Sequence, residues 1–177
     1  MQQSLSRILL ILCLFGLMVP AYADKSELDN LFEKLKNSPD ETTARENANK
    51  IWEAWFKSGD SKIDELMQQA IKKRGSYDYD GAIEILNKVI ALKPDYSEGW
   101  NQRATIYFFK QEYEKSLEDV AKTLELEPRH FGALAGRGII RLRQNKPALA
   151  VQNILKAMEI HPFLPERSII PDLTQPL

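Results

Sequence analysis

The stretch that comes nearest to a chemical centre is "LEPRHFGALAGRG", residues 126–138, which sets Arg129 and His130 ahead of Gly132, Gly136 and Gly138. A histidine base beside a glycine-rich loop would suit phosphate chemistry, with backbone N–H groups closing on the anion. Such loops follow a β-strand, and none is legible before Gly132. The four-residue spacing of Gly132 and Gly136 instead sets both along one side of a helix. His130 then reads as a turn residue whose ring packs against the next helix or caps it. The second histidine, His161, lies 31 residues on; neither has a cysteine beside it, and no HxxxH or HExxH spacing exists, so no metal site is expected. No serine or cysteine is paired with a base in a nucleophile's context. Acidic pairs such as Glu114 and Glu118 stand one turn apart on a solvated helix face. The expectation is a protein that is not an enzyme and uses neither cofactor nor metal.

If these residues do no chemistry, the elements that carry them set the function. The 177 residues hold 24 Lys+Arg against 25 Asp+Glu, which gives neither a basic field for nucleic acid nor an acidic tail. At the start, Arg7 precedes an apolar run over residues 8–19, followed by Pro20 and the triplet Ala21, Tyr22, Ala23. A charged beginning, a short apolar core and a small-x-small end predict a secretory signal peptide over residues 1–23, cut after Ala23. The run is too short to span a membrane, so no stable insertion is expected after cleavage. The single cysteine, Cys13, lies inside the apolar core without the small residues of a lipoprotein cleavage site. The mature chain of 154 residues would carry a net charge of −2 and no cysteine. It must hold together by packing alone, in the periplasm or outside the cell.

Beyond the leader the chain repeats itself. Pro94, Pro128 and Pro162 stand 34 residues apart, each closing a similar apolar-periodic ending: "NKVIALKP", "AKTLELEP" and "LKAMEIHP". Proline cannot continue a helix, so each marks a stop. Placing these prolines at position 32 of a 34-residue unit aligns residues 63–96, 97–130 and 131–164. Small residues recur at position 8 (Ala70, Ala104, Gly138) and at position 20 (Ala82, Ser116, Ala150). Small side chains at those places let two helices approach closely, while Trp100, Tyr107 and Tyr113 fill the gaps of the middle unit.

This pattern resembles the tetratricopeptide repeat, in the form found in small exported proteins of the Gram-negative cell envelope. Lys73 and Arg141 at position 11 depart from the family pattern in the outer units. The resemblance implies an all-α solenoid of antiparallel helix pairs whose first helices line a concave groove. Its lining positions correspond here to Asp64, Met67, Ile71 and Arg74, then Glu98, Asn101, Thr105, Phe108 and Phe109, then Ala135, Ile139, Leu142 and Arg143. Of these, Met67, Arg74, Asn101, Thr105, Phe108 and Arg143 are the expected contacts to a peptide or partner protein. Some members clamp a terminal carboxylate with lysine, asparagine and arginine; the lysines are missing here, so that clamp is not carried over.

Both ends depart from the repeat. Residues 24–62 fit the same frame loosely and read as a degenerate helical hairpin, its first helix cut short at Ser38 and Pro39 and its second capped by Asp40. Leu31, Leu35, Ile51, Trp52 and Trp55 are expected to cover the first full repeat. The tail over residues 165–177 has no helical period, and the last helix, over about residues 147–160, would leave an apolar face open. Either Phe163, Leu164, Ile169 and Ile170 fold back over it, which is the favoured expectation, or a partner covers it. The second possibility carries an alternative function: an assembly element pairing two copies as a homodimer.

Overall fold

The computed structural model describes residues 25–170. The expected leader with Cys13, and residues 171–177 of the tail, lie outside the described residues. Eight α-helices follow in chain order: α1 (Lys25–Lys36), α2 (Glu41–Trp55), α3 (Ser61–Gly75), α4 (Tyr79–Leu92), α5 (Ser97–Phe109), α6 (Tyr113–Leu126), α7 (Phe131–Arg143) and α8 (Pro147–Met158), with a closing 3-10 turn at Pro165–Ile169. Among the described residues there is no strand. The most extensive packing lies within successive pairs, α1 with α2, α3 with α4, α5 with α6 and α7 with α8. This is the expected solenoid of helix hairpins. No helix among the described residues is long and apolar enough to cross a membrane.

Local chemistry explains where the helices begin and end. Asp40, Asp60 and Asp78 cap α2, α3 and α4 by accepting backbone N–H groups, as at Thr43 (2.8 Å), Lys62 (2.8 Å) and Gly81 (3.0 Å). The Asp60 cap starts α3 two residues ahead of the repeat frame. The first helix of each repeat ends on a left-handed residue at the same register: Tyr77, Gln111 and Asn145, with φ of 61°, 61° and 56°. The N–H groups after each one turn back to the helix, so that Asp78 donates to Lys73 O (3.0 Å), Glu112 to Tyr107 O (2.9 Å) and Lys146 to Arg141 O (2.9 Å). These bonds satisfy carbonyls that the helix end leaves without partners.

Close approach within each pair depends on the small residues. Ser116 Oγ donates to Ala104 O across the α5–α6 contact (2.7 Å). At Gly138, an added Cβ would stand 2.9 Å from Ile154 Cγ1 and 3.2 Å from Ala150 O, so α7 and α8 meet there at backbone distance. Polar locks reinforce the same contacts: Arg103 grips Asp119 with two bonds (2.7 and 2.8 Å), and Arg137, 34 residues later, bonds Asn153.

The N-terminal hairpin departs from expectation. Leu35, Ile51 and Trp55 share one core with Phe131, Leu134, Ile154 and Ala157 of the third repeat, and no residue of α3 or α4 belongs to that core. The first repeat builds a separate core from Ile63, Met67, Leu86, Val89 and Ile106. The hairpin therefore covers the joint between the second and third repeats, not the first. The reason is what that joint offers: a glycine and the rings of His130 and Phe131, against which Trp52 and Trp55 pack. An added Cβ at Gly132 would lie 2.6 Å from the Trp52 ring. Asp29 pairs with Arg129 (2.6 Å), whose guanidinium lies over the Phe32 ring at 4.0 Å. The tail folds back as favoured, with Leu164 buried and Phe163, Ile169 and Ile170 packed on the same core. Arg167 of the tail reaches Glu41 of α2 at 3.0 Å, so hairpin and tail meet over the third repeat.

Candidate binding groove

A cavity of about 290 Å³ opens between α5 and α7. Asn101, Thr105, Phe108 and Phe109 form one wall, and Gly132, Gly136 and Ile139 the other. Ala104, Ser116 and Val120 close the floor, and Glu166 from the tail stands at the edge. The lining is mostly apolar, with a few polar groups among it. Gly136 sets its width: an added Cβ would meet no atom within 4 Å, so the missing side chain is open cavity. Thr105 Oγ1 donates to Asn101 O (3.0 Å), which holds that hydroxyl against its own helix.

Beneath Asn101 lies a polar joint that is fully buried. Glu98 and His130 each have no exposed surface, and His130 Nε2 lies 3.0 Å from Glu98 Oε2. His130 Nδ1 accepts the Ala133 N–H (3.1 Å), the first turn of α7, which leaves the ring proton on Nε2 to donate to Glu98. Gln102 Nε2 (2.6 Å) and Asn101 Nδ2 (3.2 Å) also donate to the Glu98 carboxylate. Arg74 Nη1 in turn bonds Gln102 Oε1, setting a positive charge one residue away from the carboxylate. The chain Arg74–Gln102–Glu98–His130 thus links the first helices of all three repeats. The outer face of the imidazole stacks on Trp55, with ring centroids 4.0 Å apart and planes 7° from parallel, while Trp52 meets it edge-on at 5.4 Å. A buried carboxylate is tolerable only when such donors surround it. His130 is the cap of α7 that its place in the turn allows, but its ring packs on the tryptophans of α2 and not on the next helix.

The expected contact residues divide accordingly. Asn101, Thr105 and Phe108 come together in the cavity. Met67 does not: it is 1 % exposed, packed in line with Ile63 and Ala70 in the first repeat's own core. Its i+4 and i−3 spacing from those residues sets it on the apolar stripe of α3 rather than on an open face. Arg74 is turned inward to Gln102, and Arg143 is exposed at the far end of α7; neither lines the cavity. Glu98, read from the sequence as lining, is the buried centre of the joint. Glu166 was not foreseen, because nothing periodic in the tail signals where it returns.

A second cavity of about 270 Å³ adjoins the first, sharing Gly132 and Glu166 with it, and is walled by Trp52, Phe131, Phe163 and His161. His161 is buried and its Nδ1 has no hydrogen-bond partner among the described residues. Burial, reinforced by the nearby Arg167 cation, lowers the pKa of His161 below its ordinary value of 6.5 and favours the neutral ring. No group of three or more potential metal ligands occurs among the described residues.

Comparisons with known proteins fit this architecture. The tetratricopeptide repeat family model matches residues 97–130, the middle repeat. A TPR repeat-containing protein of Rhizobium etli is 40 % identical over 138 residues, which cover 78 % of this chain and 68 % of that protein. Among solved structures, the first TPR of Spaghetti (RPAP3), bound to the HSP90 peptide SRMEEVD, superposes with a TM-score of 0.62 at 22 % identity, over 65 % of this chain and 92 % of that one. MamA superposes with a TM-score of 0.54 at 20 % identity, covering 84 % of each chain. At those identities the structural likeness speaks to fold.

Proposed function

Because the chain belongs to the tetratricopeptide repeat family, we propose that it is a non-enzymatic interaction module that holds an apolar, extended segment of a partner protein in the groove between α5 and α7. Proteins of this family generally act by binding other proteins. The observation that carries the finer reading is the cavity itself, walled by Asn101, Thr105, Phe108 and Ile139 and left open by the missing side chain at Gly136. The structurally similar TPR of Spaghetti holds an HSP90 peptide, which supports a peptide as the occupant here. That peptide carries two glutamates, and this groove does not suit it. No lysine among the described residues lines the cavity, Glu166 stands at its edge, and the amide of Asn101 is already committed to Glu98. An apolar segment fits the lining better.

The test uses Gly136→Leu in the full chain against a displayed library of linear peptides. The new side chain enters open space and replaces a helix-interior glycine, so stability should hold or rise by about 0.5–1 kcal/mol. Peptides selected on the unaltered chain should lose at least about tenfold in affinity for the variant. Selected peptides that bind both equally would place the site elsewhere.

We read the chain as an exported protein of the periplasm, on the strength of Arg7, the apolar run and the Ala21–Ala23 triplet. N-terminal sequencing of the protein recovered from its native host should begin at Asp24; a protein that keeps Met1 or Gln2 contradicts export. The alternative of a homodimer through the C-terminal repeat is less favoured, since Leu164, Phe163 and Ile169 cover part of the apolar face on which it depended, leaving Leu149 and Leu155 of α8 exposed.

A further inference from the structure

The cavity beside the groove is lined by a buried polar group that the fold does not use. His130 commits one ring nitrogen to Ala133 and the other to Glu98. His161, in the following turn, lines the second cavity, is 6 % exposed, and its ring makes no hydrogen bond among the described residues. Phe131 meets that imidazole edge-on at 5.3 Å and supplies none. A buried polar side chain left in this way is costly and calls for a partner. Two more polar side chains reach the same cavity unbonded. Arg45 and Asn49 stand one turn apart on α2, exposed, and neither makes a hydrogen bond or ion pair among the described residues. Glu41, also at this cavity, is already paired with Arg167 (3.0 Å). Much of the remaining wall is aromatic, from Trp52, Phe131 and Phe163.

Size and chemistry limit the occupant. At about 270 Å³ the cavity falls below the range of roughly 300–1,000 Å³ that holds a drug-sized ligand, so it suits a single ring and not a whole cofactor. It adjoins the groove at Gly132 and Glu166, where a chain lying in the groove can turn a side chain into it. The aromatic wall favours a flat apolar body, and His161 asks for a polar tip on that body. A phenylalanine ring would leave the imidazole unbonded. An indole N–H only donates, whereas a phenol hydroxyl donates and accepts and so meets either tautomer. Burial and the Arg167 cation hold the imidazole neutral, and Glu166 stands at the edge, so a carboxylate is disfavoured as the tip. We infer that the second cavity takes a tyrosine side chain of the partner segment, its ring against Trp52, Phe131 and Phe163 and its hydroxyl bonded to His161. Arg45 and Asn49 then donate to backbone carbonyls of the entering segment. The inference rests on a polypeptide occupying the groove, and it fixes one residue of that polypeptide.

The test titrates the full chain with N-acetyl-tyrosinamide and follows backbone amide and indole N–H shifts by NMR. N-acetyl-phenylalaninamide, N-acetyl-tryptophanamide and free tyrosine serve as comparisons. N-acetyl-tyrosinamide should give saturable shifts at the Trp52 indole and at amides of residues 131–135 and 161–166, with at least about fivefold higher affinity than each comparison. His161→Phe should erase the preference for tyrosine over phenylalanine. It should leave Tm unchanged or higher, because it removes a buried polar group without a partner among the described residues. His161→Gln, which still donates and accepts, should keep part of the preference. The proposal is overturned by an absence of saturable shifts at those residues, by equal affinity for the phenylalanine compound, or by a tyrosine preference that survives His161→Phe. Equal or tighter binding of the tryptophan compound or of free tyrosine also overturns it, in favour of another ring or a small-molecule site. Should His161→Phe fail to fold, the comparison of blocked amino acids on the unaltered chain still decides. The blocked amino acid probes the second cavity alone, so its result and the loss of peptides in Gly136→Leu can fail separately.

Discussion

Glu98→Ala should lower the stability of the fold by about 3–5 kcal/mol, the range observed when one partner of a buried charged network is removed. A domain of this size has a total stability of about 5–15 kcal/mol, so this one change would consume much of it. The cost comes from what is left behind. His130 Nε2, Gln102 Nε2 and an Asn101 Nδ2 proton all donate to Glu98, and each becomes a buried donor without an acceptor. Gln102 also anchors Arg74, so the loss should spread to the first repeat. Glu98→Gln keeps one acceptor oxygen and should cost about half as much. Equilibrium urea unfolding measures both variants. A Glu98→Ala chain within 1 kcal/mol of the original, by the linear extrapolation in urea, would mean that the joint does not hold the repeats together.

Trp55→Ala should cost a similar amount, about 3–5 kcal/mol, by leaving a cavity against Phe32, Phe131 and His130. Its signature should be regional. The hairpin touches the rest of the molecule mainly through side chains, with Trp55 on His130, Trp52 on Gly132 and Asp29 on Arg129. Once the central ring is lost, the segment between α2 and α3, around Ser58, should become open to limited proteolysis and the emission of Trp52 should shift to the red, while α3 to α6 keep their helical signal. Trp55→Phe should be milder, since phenylalanine keeps much of the stacking area and removes the indole N–H, which is buried without a partner among the described residues. Uniform unfolding of the whole chain by Trp55→Ala would show that the hairpin and the repeats form one cooperative unit.

The groove and the joint were legible in the sequence to different degrees. Asn101, Thr105 and Phe108 line the cavity because the repeat register places successive turns of α5 on one side, and register is a local property. Met67 sits at the equivalent register of α3 yet is buried, because the stripe of Ile63, Met67 and Ala70 meets the first repeat's own core. Periodicity shows which face of a helix is apolar; it does not show which neighbour arrives there. Glu98 illustrates the same limit more sharply. A glutamate in the first turn of a helix looks like a surface residue favoured by the helix dipole. Only the approach of His130 from 32 positions away, with Asn101 and Gln102 turned inward, makes it the centre of a buried network.

His130 itself shows what the residues alone could decide. Its place between Pro128 and the glycines of α7 excluded a phosphate loop and implied a cap, and the Nδ1 bond to Ala133 is that cap. The 34-residue recurrence of the prolines, the small residues at positions 8 and 20, and the aspartate caps determine the helices, their ends and their pairing, because each acts within one hairpin. The docking of the N-terminal hairpin against α7, the return of the tail and the width of the groove were decided only in three dimensions. They depend on shape: the Trp52 ring against Gly132, the Trp55 face on His130, and open space at Gly136. Contacts between residues about 80 to 130 positions apart leave no period in the chain, so the packing of the folded molecule alone selects them.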